Sequence, residues 1–106
     1  MATLKLGLLL STPPSHPSVE TVVQLAQAAL RRGVEVYLYL IDEGVKTATD
    51  QRYLGLIDAG VKMSVCAYGC QQYGVSTATV DSRTSLSGLV VLSGIIDGCD
   101  RFLAFT

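Results

Sequence analysis

The sequence predicts an α/β fold of three layers, in which a mostly parallel central sheet carries helices on both faces. Short runs that are apolar nearly throughout alternate with segments of helical periodicity, as expected when parallel strands are buried on both sides. The chain has 106 residues, of which 49% are hydrophobic and 16% charged, enough to fill one core without metal or disulfide support. We therefore expect residues 1–106 to form a single domain.

Each expected element has its own local signal. Apolar runs predict strands at residues 4–10, 34–41, 61–65 and 101–105. Helical spacing and flanking cap residues predict helices between Ser18 and Gly33 and over residues 50–59, 67–73 and 85–97. Residues 75–80 fit either a loop or a brief edge strand.

The first helix has the clearest boundaries. Ser18 is a suitable N-cap, and Glu20 lies in the first turn, where a negative charge favours the helix. Arg31 and Arg32 lie in the last turn, and Gly33 provides the stop. The segment is therefore predicted to be an amphipathic helix that packs on the sheet.

Charge and hydropathy exclude several classes of function. The net charge is −1 and the basic residues are scattered, so no field for phosphate backbones exists and we expect no direct nucleic-acid partner. The apolar run at residues 1–10 is too short for a secretory signal. The stretch 86–96 holds about 11 residues, against roughly 20 for a membrane span. We expect a cytoplasmic protein with no membrane partner.

The mean hydropathy of +0.41 is high for so small a chain. A small domain has a large surface for its volume, which ordinarily demands more polar residues than are present. We expect other subunits to cover part of the apolar surface.

The cysteine at position 66 follows the third predicted strand. Ligands and catalytic groups of open α/β sheets gather at the carboxyl ends of the strands, so the loops 11–17, 42–46 and 66–74 are expected to share one rim. If a helix begins at Ala67, free backbone N–H groups face Cys66 and favour its thiolate. A buried structural cysteine is the alternative, and the geometry alone leaves both open.

Three stretches resemble one known family. They are VCAYGCQQYGV at residues 65–75, the spaced pair SLSGL at 85–89 and GCDRF at 98–102, and DEGV at 42–45. Together with the order of elements, they resemble the DsrE/TusD family of sulfur-relay proteins over nearly the whole chain.

The resemblance implies a persulfide carrier. By position, Cys66 is the catalytic cysteine that holds sulfane sulfur between a donor protein and an acceptor protein. It also implies a DsrE-like fold that assembles into trimers or hexamers, as a homo- or hetero-oligomer. The reactive group belongs to the protein itself, so no cofactor is expected.

The segment also departs from the family pattern. Tyr73 stands before Gly74 where family members commonly carry arginine, which favours a non-catalytic structural subunit as the alternative. Cys70 is an additional thiol one helical turn after Cys66, and it either resolves the persulfide as a disulfide or packs in the core. A small-ligand binding module on the same rim is the third hypothesis.

The remaining candidates favour structural roles. Zinc needs four ligands, and Cys66, Cys70, His16 and Cys99 do not have a zinc spacing, so no metal is expected. Gly88, predicted to lie inside the last helix, does not form a phosphate-binding loop. The default for the tyrosines on the second strand, positions 37 and 39, is packing or interface contact.

Overall fold

The computed structural model describes residues 3–106 and contains one five-stranded sheet in which all neighbours pair in parallel. The strands are β1 (Lys5–Leu10), β2 (Glu35–Leu40), β3 (Lys62–Cys66), β4 (Ser85–Ser87) and β5 (Arg101–Phe105). The helices are α1 (Ser18–Arg31), α2 (Gln51–Asp58), α3 (Ala67–Gln72) and α4 (Leu89–Gly98), with 3-10 helices at Asp42–Thr49 and Thr77–Thr79. The order of strands is β4-β3-β2-β1-β5, and the predicted three-layer α/β fold is confirmed.

The prediction of one helix over residues 85–97 is wrong at its start. Ser85–Ser87 forms the edge strand β4, which pairs with β3, and Gly88 is the N-cap of α4 rather than an interior residue. A stretch of three residues has too few positions for alternation to show. The open edge of β3 supplies the hydrogen bonds that make it a strand.

Three smaller predictions need correction. The loop expected after the second strand is the 3-10 helix Asp42–Thr49. The segment 75–80, expected to be a loop or a brief edge strand, contains the 3-10 helix Thr77–Thr79. Pro17, not Ser18, is the N-cap of α1, and the His16 Nδ1 accepts a hydrogen bond from the Ser18 N–H at 3.1 Å. The imidazole therefore satisfies a free amide at the start of α1.

The two faces of the sheet differ in composition, because successive side chains of a strand point to opposite sides. The face towards α1 and α2 is aliphatic and buried, with Leu8, Leu10, Val36, Leu38, Leu40, Met63 and Val65. The face towards α4 is of mixed chemistry, with Gly7, Tyr37, Tyr39, Lys62, Ser64 and Cys66. The hydrophobic core therefore lies mainly on the α1 side, and the chemistry-bearing residues lie on the other.

None of the helices within residues 3–106 is both long and apolar enough to pass through a membrane.

Candidate functional site

The Cys66 side chain lies where β3 ends and α3 begins. Cys66 is the N-cap of α3, and its Sγ accepts a hydrogen bond from the Gly69 N–H, with a nitrogen–sulfur distance of 3.4 Å. The residue is 7% exposed. The sulfur is therefore almost covered, and a backbone amide faces it.

Close packing of the Asp42–Thr49 helix holds α3 in this position. A Cβ added to Gly69 would lie 2.9 Å from the Val45 Cγ1, and one added to Gly44 would collide with the Leu10 carbonyl group. Both positions therefore require glycine. The Glu-Gly-Val sequence after β2 brings the segment against the end of β1 through its glycine and against α3 through its valine.

A pocket of about 300 Å³ adjoins Cys66 at the carboxyl edge of the sheet. We call it the Cys66 pocket, and its lining is Ile41, Asp42, Cys66, Ala67, Tyr68, Gly69, Ser87, Gly88 and Leu89. Asp42 has a positive φ of 51°, an unusual conformation for a residue other than glycine. Within the described part of the chain, no lysine, arginine or histidine lines this pocket.

Two of the three loops expected at the rim contribute to the Cys66 pocket. Asp42 comes from the segment after β2, and Ala67 to Gly69 come from the segment after β3. The loop at residues 11–17 is absent from the lining; its His16 hydrogen-bonds at the start of α1 instead. The β4–α4 junction, which the sequence did not indicate, takes its place.

Tyr39 reaches the same edge from β2. Its side chain is fully buried, and its hydroxyl lies 3.1 Å from the Gly88 carbonyl oxygen and 3.4 Å from that of Ser87. Burial, together with the nearby Cys66 thiol, raises the pKa of Tyr39 to about 12. The phenol therefore stays protonated at physiological pH and can donate a hydrogen bond.

The other three predicted site residues lie outside the lining of the Cys66 pocket. Cys70 is fully buried, and burial followed by the proximity of Cys66 raises the pKa of its thiol. Tyr73 is the C-cap of α3, and its ring lies 5.4 Å from the Lys46 Nζ. Gly74 has a φ of +70°, so it ends α3 in a conformation that favours glycine.

A larger groove lies on the α4 face near the amino ends of the strands. It has a volume of about 580 Å³, and its apolar wall includes Met63, Val91 and Ile95. Two of its cations are paired, since the Lys62 Nζ lies 2.6 Å from a Glu35 oxygen and the Arg83 Nη1 lies 2.8 Å from an Asp58 oxygen. We call it the α4 groove. Its lining includes Cys99 and Tyr37 but none of the predicted site residues Cys66, Cys70, Tyr73 and Gly74.

Clusters of three or more His, Cys, Asp and Glu side chains that could hold a metal do not occur among residues 3–106.

Fold and site together define a class: a parallel α/β protein with a cysteine at the carboxyl end of a strand, next to a pocket. The model of the DsrE/DsrF-like family matches residues 5–105, and the chain belongs to that family. The resemblance seen in the sequence is thereby confirmed. No curated protein matches the chain.

Solved structures share the fold. The YchN protein of E. coli superposes with a TM-score of 0.83 at 17% identity, covering 98% of this chain and 100% of that one. A conserved protein of unknown function from Bacteroides thetaiotaomicron gives 0.78 at 16% identity, with 95% and 94% covered. A protein of unknown function from Methanobacterium thermoautotrophicum gives 0.74 at 13% identity, with 94% and 98% covered. Identities this low establish the fold alone.

Sequence reasoning missed Tyr39 and Ser87 as neighbours of Cys66. Strand register contains the signal for both. Tyr39 pairs with Ser64, two residues before Cys66, and Ser87 pairs with Cys66 itself. Partners in a parallel ladder point to the same face, so the pairing of β2, β3 and β4 brings the three side chains together.

Proposed function

We propose that this protein is a sulfur-relay protein that carries sulfane sulfur as a persulfide on Cys66. The observation that carries the proposal is the Cys66 sulfur, which accepts the Gly69 N–H and borders a pocket at the carboxyl edge of the sheet. A sulfur atom with an amide donor and adjoining free volume can exist as a thiolate and receive a second sulfur atom. Membership of the DsrE/DsrF-like family supports the same role.

The chemistry is an exchange at sulfur. The Cys66 thiolate attacks the outer sulfur of a donor persulfide, R–S–SH, and the donor's S–S bond breaks as the new one forms. The donor leaves as the thiolate R–S⁻, and Cys66 becomes Cys–S–SH. An acceptor thiolate then attacks the outer sulfur, which restores the Cys66 thiolate. The sulfur keeps its oxidation state, so no oxidant or reductant is consumed.

The charge of the pocket favours protein donors and acceptors over small anions. Asp42 lines the Cys66 pocket and no basic side chain among the described residues does. A dianion such as thiosulfate meets a negative carboxylate without a compensating cation. A persulfide on a cysteine of another protein carries less charge and brings its own contact surface.

The proposed role needs only one thiol. Cys70 is fully buried, and the raised pKa of its thiol disfavours the thiolate needed for attack. These features favour packing for Cys70, and its role as a resolving cysteine remains a prediction.

We also propose that the protein works as an oligomer, a trimer or hexamer of one or several subunit types. Apolar side chains of α4 support this, since Leu89 is 63% exposed and Val90 is 87% exposed. Exposed apolar residues clustered on one helix are typical of surfaces covered by another subunit. Val90→Asp should convert the assembly into a smaller species in gel filtration, whereas a wild-type chain that elutes as a monomer would contradict the proposal.

The decisive experiment is sulfur loading followed by intact mass. Purified protein is incubated with a persulfidated donor protein, the donor is removed, and a gain of one sulfur atom that dithiothreitol reverses is sought. Wild type and the control variant Cys99→Ser should load, because Cys99 lines the distant α4 groove. Cys66→Ser should not load.

Two results would reject the carrier role. If wild-type protein gains no sulfur from polysulfide or from a persulfidated protein, a structural subunit is the better assignment. If Cys66→Ser loads as much sulfur as wild type, Cys66 is not the carrier residue. Cys70→Ser tests the remaining hypothesis, that Cys70 resolves the Cys66 persulfide as a disulfide. Unchanged loading and release in that variant would refute a resolving role.

A further inference from the structure

A buried hydroxyl without a partner lies in the wall of the Cys66 pocket. The Oγ of Ser87 is buried and has no hydrogen-bond partner among the described residues. Such a group loses its hydrogen bonds to water on folding and ordinarily finds a replacement. Because Ser87 lines the pocket, an acceptor bound there would supply the missing partner.

The Tyr39 hydroxyl adjoins two residues of this wall, Ser87 and Gly88, although Tyr39 itself is not part of the pocket lining. It lies near two carbonyl oxygens, of Gly88 at 3.1 Å and of Ser87 at 3.4 Å, and it has only one proton to donate. Its partner carbonyl on Gly88 also accepts from the Val91 N–H at 3.2 Å. That carbonyl therefore remains hydrogen-bonded if the phenol turns its proton elsewhere.

Strand register brings both hydroxyls to Cys66. Ser87 is the direct partner of Cys66 in the β3–β4 ladder, and Tyr39 pairs with Ser64 in the β2–β3 ladder. All of these side chains point to the α4 face. The effect of the Cys66 thiol on the pKa of Tyr39 agrees with this proximity.

We propose that Tyr39 and Ser87 are positioning residues that hold the outer sulfur of a Cys66 persulfide through hydrogen bonds from their hydroxyl groups. The inference rests on the proposed function and identifies what stabilises the cargo. A deprotonated persulfide, Cys–S–S⁻, places its negative charge on the outer sulfur, beyond the sulfur that the Gly69 N–H contacts. The Ser87 hydroxyl donates to it, and the Tyr39 hydroxyl turns from the Gly88 carbonyl to do the same.

The hydrogen-bond donors proposed for the persulfide are neutral hydroxyl groups rather than cations. Besides Cys66, the ionisable residues of the pocket lining are Asp42 and Tyr68. The charge of Asp42 opposes an anion, so the hydrogen bonds from the two hydroxyl groups have to offset that repulsion. Cys70, one turn along α3, keeps its proton because burial raises the pKa of its thiol. Tyr73, at the end of α3, lies outside the lining. Hydroxyl groups thus take the place of a cation in binding the persulfide.

The test measures how sulfur divides between Cys66 and glutathione. Wild-type protein is equilibrated with mixtures of glutathione and glutathione persulfide, and the loaded fraction is read by intact mass. Ser87→Ala and Tyr39→Phe should each lower the equilibrium constant for loading by about tenfold, as expected for one lost hydrogen bond to a charged group. Ser87→Thr keeps the hydroxyl and should stay within about twofold of wild type, by the same argument.

Matched controls separate positioning from stability. Tyr37→Phe removes a phenol from the same strand and face, where the hydroxyl donates to Glu35 rather than to the pocket, and it should load as wild type does. Thermal unfolding reports whether each variant folds. If Tyr39→Phe does not fold, the comparison of Ser87→Ala with Ser87→Thr still tests whether a hydroxyl group holds the persulfide. If wild type loads, and Ser87→Ala and Ser87→Thr load as well as wild type does, this inference is overturned and the carrier role stands. Wild type that never loads overturns both.

Discussion

The two faces of the sheet use apolar residues in opposite ways. The helix α1 buries Val19, Val22, Val23 and Ala26 against the aliphatic face and turns polar residues outward. The helix α4 is richer in apolar residues, yet only Ile95 is buried, and Val90 is 87% exposed. The α1 face therefore stabilises the fold of one chain. The α4 face leaves its apolar residues available for contacts that one chain does not supply.

The largest expected effect compares two valines, one on each helix. Val22→Ser should lower the free energy of unfolding by about 3 kcal/mol, because it removes buried apolar area and buries a hydroxyl group. Val90→Ser should change it by less than about 0.5 kcal/mol, because the side chain is exposed. Urea unfolding at low protein concentration measures both. Equal losses would break the contrast between the faces.

The next effect tests how closely α4 packs on β1. A Cβ at Gly7 would lie 2.8 Å from the Phe102 Cδ1, 3.0 Å from the Ile95 Cγ2 and 3.2 Å from the Cys99 Sγ. Gly7→Ala should therefore destabilise the protein by about 1–3 kcal/mol through overpacking.

A glycine on the opposite side of the sheet provides the control for Gly7. Gly55 lies in α2 with no atom within 4 Å of an added Cβ, so Gly55→Ala should stabilise the protein by about 0.5–1 kcal/mol. Urea unfolding measures the change in unfolding free energy for both variants, and the two changes should have opposite signs. A neutral Gly7→Ala would mean that α4 lies farther from β1 than described.

A smaller effect concerns a buried phenol on the α1 side. The Tyr53 hydroxyl donates to the Val19 carbonyl oxygen at 2.9 Å and joins α2 to α1. Tyr53→Phe should cost about 1 kcal/mol of unfolding free energy, the net value of one hydrogen bond.

The same phenol gives the protein a pH dependence in alkali. Burial raises the pKa of Tyr53 above its ordinary value of 10.0, so the folded state holds the proton more tightly than the unfolded state. This contribution is complete below pH 10 and falls as the pH rises above 10. Unfolding midpoints in urea, measured from pH 8 to 11, should fall less steeply in Tyr53→Phe than in wild type, and parallel curves would contradict the assignment.

The smallest effect is expected at the rim of the α4 groove. Hydrogen bonding from Lys62 lowers the pKa of Glu35 below its ordinary value of 4.5. The contribution of the Glu35 carboxylate to the free energy of unfolding is present above the ordinary pKa and is lost as the pH falls through the lowered pKa. The Lys62 side chain is 56% exposed and that of Glu35 34%, so water screens the pair. Glu35→Gln should therefore change stability little at pH 7 and should flatten the acid limb of the profile slightly. A large loss at pH 7 would show that the pair matters more than an exposed ion pair should.

Sequence patterns predicted the parts of the fold that depend on long apolar runs. The segments now seen as β1, β2, β3 and β5 have such runs. The rule that sites gather at strand carboxyl ends made Cys66 a candidate, and the resemblance to the family implied its catalytic role. The strand β4 has three residues, two of them serine, and it forms because β3 offers an open edge. Ser87 became a neighbour of Cys66 only through that pairing, and Tyr39 only through the β2–β3 ladder, neither of which a local pattern encodes.

The shortness of β4 also affects how the thiol is reached. Only three register pairs join β4 to β3, and the last of them is Cys66 with Ser87. An edge held by so few hydrogen bonds separates by local fluctuation at a lower free energy than unfolding of the central strands. Amide hydrogens of β4 should therefore exchange with deuterium well before those of β1 and β2. Such openings uncover the sulfur to incoming molecules while the rest of the sheet stays intact.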